Sequence, residues 1–349
     1  MSTSGFSLPG EWHKQSGVLL TWPHENSDWV DDLNAIEALY IQLAITISLY
    51  EKALIVAYDE THKIHINALL KQHHSFNAAN IIFFVAQTDD TWTRDYGPIC
   101  LCNMDETKIL NFTFNGWGNK FDAHIDNQLT ECLVQHSVLQ AIETTDCDFI
   151  LEGGSIDSDG NGTVLTTSSN LLTSTRNPSY TQQDIEKYLQ STLGVRQILW
   201  LDHGYLAGDD TDSHIDVLAR FTDSQTIVYI HCEDSSDEHY SSSRAMEAQL
   251  RTFRNCDGKS YQLIPLPFPA PIFDETNRRL AASYANFLII NDAVLVPTYD
   301  DDNDERALKI LQSCFNNRKV IGIPCLSAIQ QNGSLHCLTM QLPAGVLKS

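Results

Sequence analysis

Between Val164 and Leu201 the sequence reads as strand, turn, strand, helix, strand, and the same order returns between Phe287 and Ile323. In the first stretch, Val164 to Thr167 and Leu171 to Thr173 have strand character. Thr181, with Asp184 three residues on, marks a helix start ahead of Ile185 and Leu189; Gly194 stops the helix, and Gln197 to Leu201 is a strand again. In the second stretch, Phe287 to Ile290 and Ala293 to Pro297 are strands, and a helix around Asp304 to Phe315 puts Ala307, Leu311 and Phe315 on one face. Lys319 to Ile323 ends that unit. Weaker copies cover Ile99 to Glu143 and Val217 to Leu266, and Val18 to Val56 reads as a reduced fifth copy around a helix from Leu33 to Tyr50. About five α/β units of roughly 40 to 50 residues predict closed radial repetition around an axial pocket rather than an open doubly wound sheet. A large α/β chain of another topology would also yield such units to this reading.

The chain of 349 residues is 42% hydrophobic and 19% charged, enough to bury a substantial core. No Pro/Gly/Ser linker or low-complexity tract divides it, so residues 1–349 are expected to form a single domain. Met1 to Gly10 carry neither a basic start nor an apolar run, and no stretch approaches the roughly 20 apolar residues that span a bilayer. The nine cysteines are scattered without C-x-x-C pairs, so reduced thiols and a cytoplasmic setting are expected, with no membrane partner. A formal charge of -23 opposes nucleic-acid binding and favours a small cationic ligand, although surplus surface carboxylates also serve solubility. Homo-oligomerisation is left open by these features.

Residues with chemical capability cluster between the units: Asp89 to Pro98, Leu151 to Ser155, Gly208 to Asp216, and Gly333 to Cys337. Connections held by a rigid scaffold are where function concentrates, and in a radial array equivalent connections converge. Asp95, in Trp92-Thr93-Arg94-Asp95-Tyr96-Gly97-Pro98, can receive a cation or simply form a turn. Glu152 ends an apolar run at Gly153-Gly154, which a plain turn also explains. Four carboxylates surround His214 within Gly208 to Asp216. Either His214 and Asp216 are metal ligands beside Asp209, Asp210 or Asp212, or His214 is a general acid/base and Asp216 a substrate-binding carboxylate; a solvated acidic loop is the third option. Cys337 follows the turn-like Asn332-Gly333-Ser334. On a strand, His336 would point away from it, which makes His214 the better partner.

Taken together these motifs resemble the agmatine deiminase family, related to bacterial peptidylarginine deiminases within the guanidino-group-modifying superfamily. The resemblance runs through Leu20-Thr21-Trp22-Pro23-His24, the Trp92 to Pro98 motif, Phe114-Asn115-Gly116-Trp117-Gly118 and Leu151-Glu152-Gly153-Gly154-Ser155. It continues through Gly208-Asp209-Asp210-Thr211, Ser213-His214-Ile215-Asp216, Leu280-Ala281-Ala282-Ser283-Tyr284-Ala285-Asn286-Phe287 and Leu335-His336-Cys337. It implies a pseudo-fivefold α/β propeller, the pentein fold, built from strand-strand-helix-strand units. It also implies Cys337 as nucleophile, His214 as general acid/base, Glu152 as its carboxylate partner, and Asp95 and Asp216 as guanidinium clamps, with no metal and no cofactor. Where the family has a glycine triplet and an asparagine before Leu/Ile-His-Cys, this chain has Gln331-Asn332-Gly333-Ser334, of which only Gly333 matches the triplet.

The implied reaction is hydrolysis of agmatine to N-carbamoylputrescine and ammonia, with Trp22, Trp92 and Trp117 as candidates for the wall of the apolar stem and Asp210 as a further substrate-side group. Core packing explains each tryptophan equally well. Peptidylarginine or free arginine is the competing substrate, a non-catalytic polyamine binder the competing class, and a metal-dependent amidinohydrolase a fourth reading that lacks a second ligand cluster.

Overall fold

A computed structural model describes residues 5–348; the reading of Met1 to Ser4 as free of a leader lies outside them. In chain order the strands are β1 (Gln15–Thr21), β2 (Lys52–Ala57), β3 (Ile81–Val85), β4 (Ile99–Cys102), β5 (Thr107–Thr113), β6 (Glu143–Ile150), β7 (Ile156–Ser158) and β8 (Thr163–Thr167). They continue as β9 (Gln197–Leu201), β10 (Ala219–Asp223), β11 (Thr226–His231), β12 (Gln262–Pro267), β13 (Leu288–Ile289), β14 (Ala293–Thr298), β15 (Lys319–Pro324) and β16 (Thr339–Pro343). They form five small sheets: β4-β5-β6, β7-β8-β9, β10-β11-β12, β13-β14-β15 and β16-β1-β2-β3.

Every sheet repeats one rule. The first strand pairs antiparallel with the second, the second pairs parallel with the third, and a helix carries the chain between those two. The crossover helices are Leu129–Gln135, Gln182–Leu193, Tyr240–Leu250, Asp304–Cys314 and Leu33–Ser48. Parallel pairing requires such a crossover, and the helix covers the sheet it leaves. The middle strands β8 and β14 accordingly read as apolar or β-branched runs, buried at nearly every position. Local chemistry sets the boundaries. Thr181 and Asp184 form the reciprocal capping box, and Gly194 ends the same helix at φ 65°, a conformation that favours glycine.

Two expectations are corrected. Leu171 to Thr173 is not a strand: Ser168–Leu171 is a short helical turn, and the antiparallel partner of β8 is the upstream β7. Nor is the N-terminal unit reduced. The last strand, β16, returns to pair with β1, so the fifth sheet is assembled from both ends of the chain, and a further helix, Glu60–Leu70, adds β3 parallel to β2.

The first strands meet at the centre. Arg220 of β10 donates to Asp157 of β7 (3.2 Å) and to the carbonyl oxygen of Phe287 next to β13 (3.1 Å), while Gln341 of β16 donates to the Ile289 carbonyl of β13 (3.4 Å). A small cavity between β4, β7 and β16 continues the ring. This is the fivefold α/β propeller expected from the repeats. Among the described residues no helix is long and apolar enough to cross a membrane.

Candidate active site

Immediately before the first strand of each sheet the chain makes a tight turn: Thr93–Tyr96 before β4, Gly153–Ser155 before β7, Ile215–Val217 before β10, residues 283–286 before β13 and residues 335–338 before β16. Because the first strands surround the axis, these five turns converge there. They deliver Asp95, Glu152, His214 with Asp216, Asn286, and Cys337. Gly154 marks the meeting point, since a Cβ there would lie 2.6 Å from His214 Nδ1, 2.9 Å from Asp95 Oδ1 and 3.1 Å from Asp216 Oδ2.

Cys337 Sγ lies 3.6 Å from Asp216 Oδ2 and accepts from Asn286 Nδ2 at 3.3 Å. Asn286 Oδ1 in turn accepts the amide of His336 at 2.9 Å, which fixes the turn carrying the thiol. Asp95 is held on both oxygens, by the Gly154 amide (2.9 Å) and by Trp117 Nε1 (2.9 Å). His214 Nε2 pairs with Glu152 Oε2 at 3.0 Å, and Arg176 Nε braces Glu152 from behind at 2.8 and 2.9 Å. Among the buried polar atoms without a hydrogen-bond partner, two belong to these catalytic candidates: His214 Nδ1, with Asp95 Oδ1 3.6 Å away, and Asp216 Oδ1. A native interior tolerates such atoms mainly where a ligand completes them.

The charges are strongly coupled. Burial disfavours imidazolium at His214, but Asp95, Glu152 and Asp216 outweigh it and raise the ring to about 9. Burial lifts Asp95 to about 6 against the pull of His214. At Glu152 and Asp216 burial is overcome, by His214 and Arg176 in one case and by His336, His214 and Arg220 in the other, so both carboxyls fall below their ordinary range. Burial, then Asp216 and Asp95, push the Cys337 thiol well above its ordinary value. At neutral pH these shifts favour a protonated imidazole beside a protonated thiol.

Asp95, His214, Asp216 and Cys337 line a cavity of about 240 Å³, with Glu152 behind His214. Trp92 and Trp117 form its walls, and Asp28, Asp90 and Asp210 line it too. Gln331 and Asn332, which replace two positions of the expected glycine-rich loop, tie that loop down. Gln331 Nε2 donates to the Asp28 carbonyl at 2.7 Å, and Asn332, at φ 71°, donates to Asp210 Oδ2 at 2.8 Å. The retained Gly333 has a steric reason, because a Cβ would come within 2.2 Å of the Trp92 ring.

Residues 7–343 match the family described as Porphyromonas-type peptidyl-arginine deiminase. An agmatine deiminase of Pseudomonas putida is 31% identical, covering 98% of this chain and 96% of its own. The chain belongs to this family, whose curated members include agmatine deiminases, and it is an enzyme. The structure of a Porphyromonas gingivalis family member, provisionally described as an arginine deiminase, superposes with a TM-score of 0.91 at 44% identity, covering 99% of this chain and 100% of that one. A cysteine-to-serine variant of C. jejuni agmatine deiminase with substrate bound superposes at 0.90 and 38% identity, covering 98% and 97%.

Within the family fold, Cys337, His214, Glu152, Asp95 and Asp216 come together, with Trp92, Trp117 and Asp210 around them. Trp22 does not. It is fully buried in the core, donating to Glu37 Oε1 at 3.0 Å and packing on Tyr40, away from the cavity. The turn of residues 335–338 is not a strand either, so His336 does not point idly away: its Nδ1 meets Asp216 Oδ2 at 2.8 Å. Sequence reasoning missed Asn286, Arg176 and Glu11. Asn286 had a signal, since it occupies in its unit the turn position that carries Asp95 and Cys337 in theirs; Arg176 and Glu11 had none.

Proposed function

We propose that this enzyme hydrolyses agmatine to N-carbamoylputrescine and ammonia through a covalent thiouronium on Cys337. The observation that carries the reading is the unpartnered Oδ1 of Asp216, whose Oδ2 lies 3.6 Å from Cys337 Sγ, in a cavity whose lining adds Asp28, Asp90 and Asp210 and includes no Lys or Arg among the described residues. Asp216 and Asp95 would take the planar guanidinium between them, its donors matching the carboxylate geometry. The bound cation offsets the two charges that, with burial, hold the thiol protonated, and the thiolate forms as its proton passes to water.

Sγ then attacks the guanidinium carbon. His214, with Nε2 fixed by Glu152 and Nδ1 free toward the cavity, gives its proton to the departing nitrogen as the C–N bond breaks. It next removes a proton from the water that attacks the thiouronium carbon, the C–S bond breaks, and the thiolate returns. The carbonyl oxygen of the urea product comes from that water.

The carboxylates choose among guanidines. Burial, together with Asp28 and Asp210, lifts Asp90 to about 7, a strain that a ligand ammonium relieves. Agmatine carries that ammonium. The P. gingivalis relative favours free arginine as a second reading, yet an α-carboxylate would meet acids here instead of a cation. Steady-state kinetics with agmatine, arginine and an arginyl peptide, scored by ammonia and by the urea product, test this. Agmatine should lead in kcat/KM, and Cys337→Ser should lose it by about a thousandfold or more. Preference for arginine would sink the substrate assignment, and an active serine variant the covalent route.

A further inference from the structure

Asp216 is one end of a buried chain that the scheme above leaves unused. His336 Nδ1 lies 2.8 Å from Asp216 Oδ2, and His336 Nε2 lies 2.8 Å from Glu11 Oε1. The ring is 1% exposed. A neutral imidazole carries hydrogen on one nitrogen only, so between two ionised carboxylates one of these short contacts would oppose lone pair to lone pair. Both are satisfied only when the chain Glu11–His336–Asp216 holds one proton beyond the ring's own.

The surroundings make that proton easy to remove. Arg94 Nη1 is 3.6 Å from Glu11 Oε1, Arg94 Nε faces the His336 carbonyl at 3.4 Å, and Arg220 pairs with both Glu11 and Asp157. On the substrate side, Asp216 faces the Cys337 thiol, with His214 and Asp95 in the same pocket. Burial, then Arg220 and Arg94, lower the ring from its ordinary 6.5 against Glu11 and Asp216, so the second proton is held on the acid side of that value and the binding test belongs there. The two ends of the chain also differ. Asp216 Oδ2 has His336 Nδ1 as its hydrogen-bond donor besides the thiol, whereas Glu11 keeps Arg220 and Gln341 Nε2 (2.8 Å) whatever the ring does. Glu11 also lines a second cavity, of about 80 Å³, formed by the N-terminal segment with β4, β7 and β16, which shares no lining residue with the substrate cavity.

We infer that His336, clamped by Glu11, is a positioning residue that turns Asp216 Oδ1 toward the substrate, and that its Nε2 proton leaves past Glu11 into the second cavity when a guanidinium binds. The Nδ1–H bond to Asp216 Oδ2 stays intact throughout, so the carboxylate keeps its orientation. The N–H bond at Nε2 breaks, its electron pair stays on nitrogen, and water in the second cavity accepts the proton. The guanidinium thereby takes over the positive charge that His336 gives up. This inference rests on the deiminase reading.

The test is calorimetric titration of agmatine into Cys337→Ser protein in two buffers of unequal ionisation enthalpy. Binding should release protons, seen as a heat that changes with the buffer; Asp90 and Asp95 contribute to that release, so the relay is read as a difference, with Glu11→Gln or His336→Gln releasing about one proton fewer than the parent while agmatine still binds. Absence of binding would defeat the deiminase reading itself; binding without proton release would overturn only the relay. Release undiminished in His336→Gln but lowered in His214→Gln would assign the proton elsewhere and also overturn it. Kinetics in the Cys337 background supply the positioning readout. His336→Gln can still donate to Asp216 and should retain about ten- to a hundredfold more kcat/KM than His336→Leu, the worth of one hydrogen bond to a charged group. Equal losses in two variants that both fold, as judged by circular dichroism, would remove His336 from that role.

Discussion

His214 shows how one residue acquires a task from its neighbours. An unpaired buried imidazole would lose its charge, but Asp95, Glu152 and Asp216 hold the ring protonated up to about 9, against an ordinary 6.5. Because the folded-state value is raised, the stability from this pairing is fully present below about 6.5 and is lost as pH rises through about 9. The same titration should limit catalysis on the alkaline side, where the acid that protonates departing ammonia disappears. Glu152→Gln removes one of the negative neighbours while Arg176 keeps Asp212 at 2.7 Å. The alkaline limb of kcat/KM should therefore move to lower pH, with a smaller loss of rate at neutral pH than in His214→Ala. A limb unmoved in Glu152→Gln would mean that Glu152 only shapes its turn.

At the scale of elements, the site depends on how closely turns from different sheets approach, and Gly154 is where three of them touch. Gly154→Ala would force a methyl group among His214, Asp95 and Asp216, at distances of 2.6 to 3.1 Å that real Cβ contacts do not show. We expect kcat/KM to fall by about a hundredfold or more, because reacting groups displaced by an ångström lose that much, with only a modest drop in Tm. Near-normal activity would mean that the turns are not held as described. The same geometry explains what the sequence could and could not disclose. Second and third strands and their helices were legible because β-branched runs and caps such as Thr181 and Gly194 are local signals. First strands were less so: Phe287 to Ile290 contains β13, but β7, with three residues, is too short for any periodicity and its place fell to Leu171 to Thr173. Nor could a reading along the chain see that β16 belongs beside β1. Asp95, His214 and Asp216 stood out by chemical type and Cys337, one of nine cysteines, through the family resemblance, whereas Arg176 and Glu11 matter only through partners contributed by other units. Trp22 was offered for the wrong reason, since an aromatic near a motif is as often core as cavity.

Across the whole molecule, a formal charge of -23 and an acidic substrate cavity act on the same cationic ligand at different ranges. Long-range attraction is screened over about 10 Å at 0.1 M salt and about 3 Å at 1 M, while a guanidinium enclosed between Asp95 and Asp216, as proposed, would be shielded from added ions. Salt should therefore act on capture more than on chemistry: between about 0.1 and 1 M, KM for agmatine should rise several-fold and kcat should change little. General attraction alone would give that result, so a neutral-tailed analogue supplies the comparison. Butylguanidine bears the same guanidinium without the distal ammonium. If Asp28, Asp90 and Asp210 read the ammonium, agmatine should lose more affinity with salt than butylguanidine does, and Asp90→Asn should narrow the gap chiefly by weakening agmatine. Asp90→Asn should also raise Tm above pH 7, because burial and its acidic neighbours make the ionised Asp90 unfavourable there. Parallel salt curves for the two guanidines would mean that these carboxylates supply solubility and not selection.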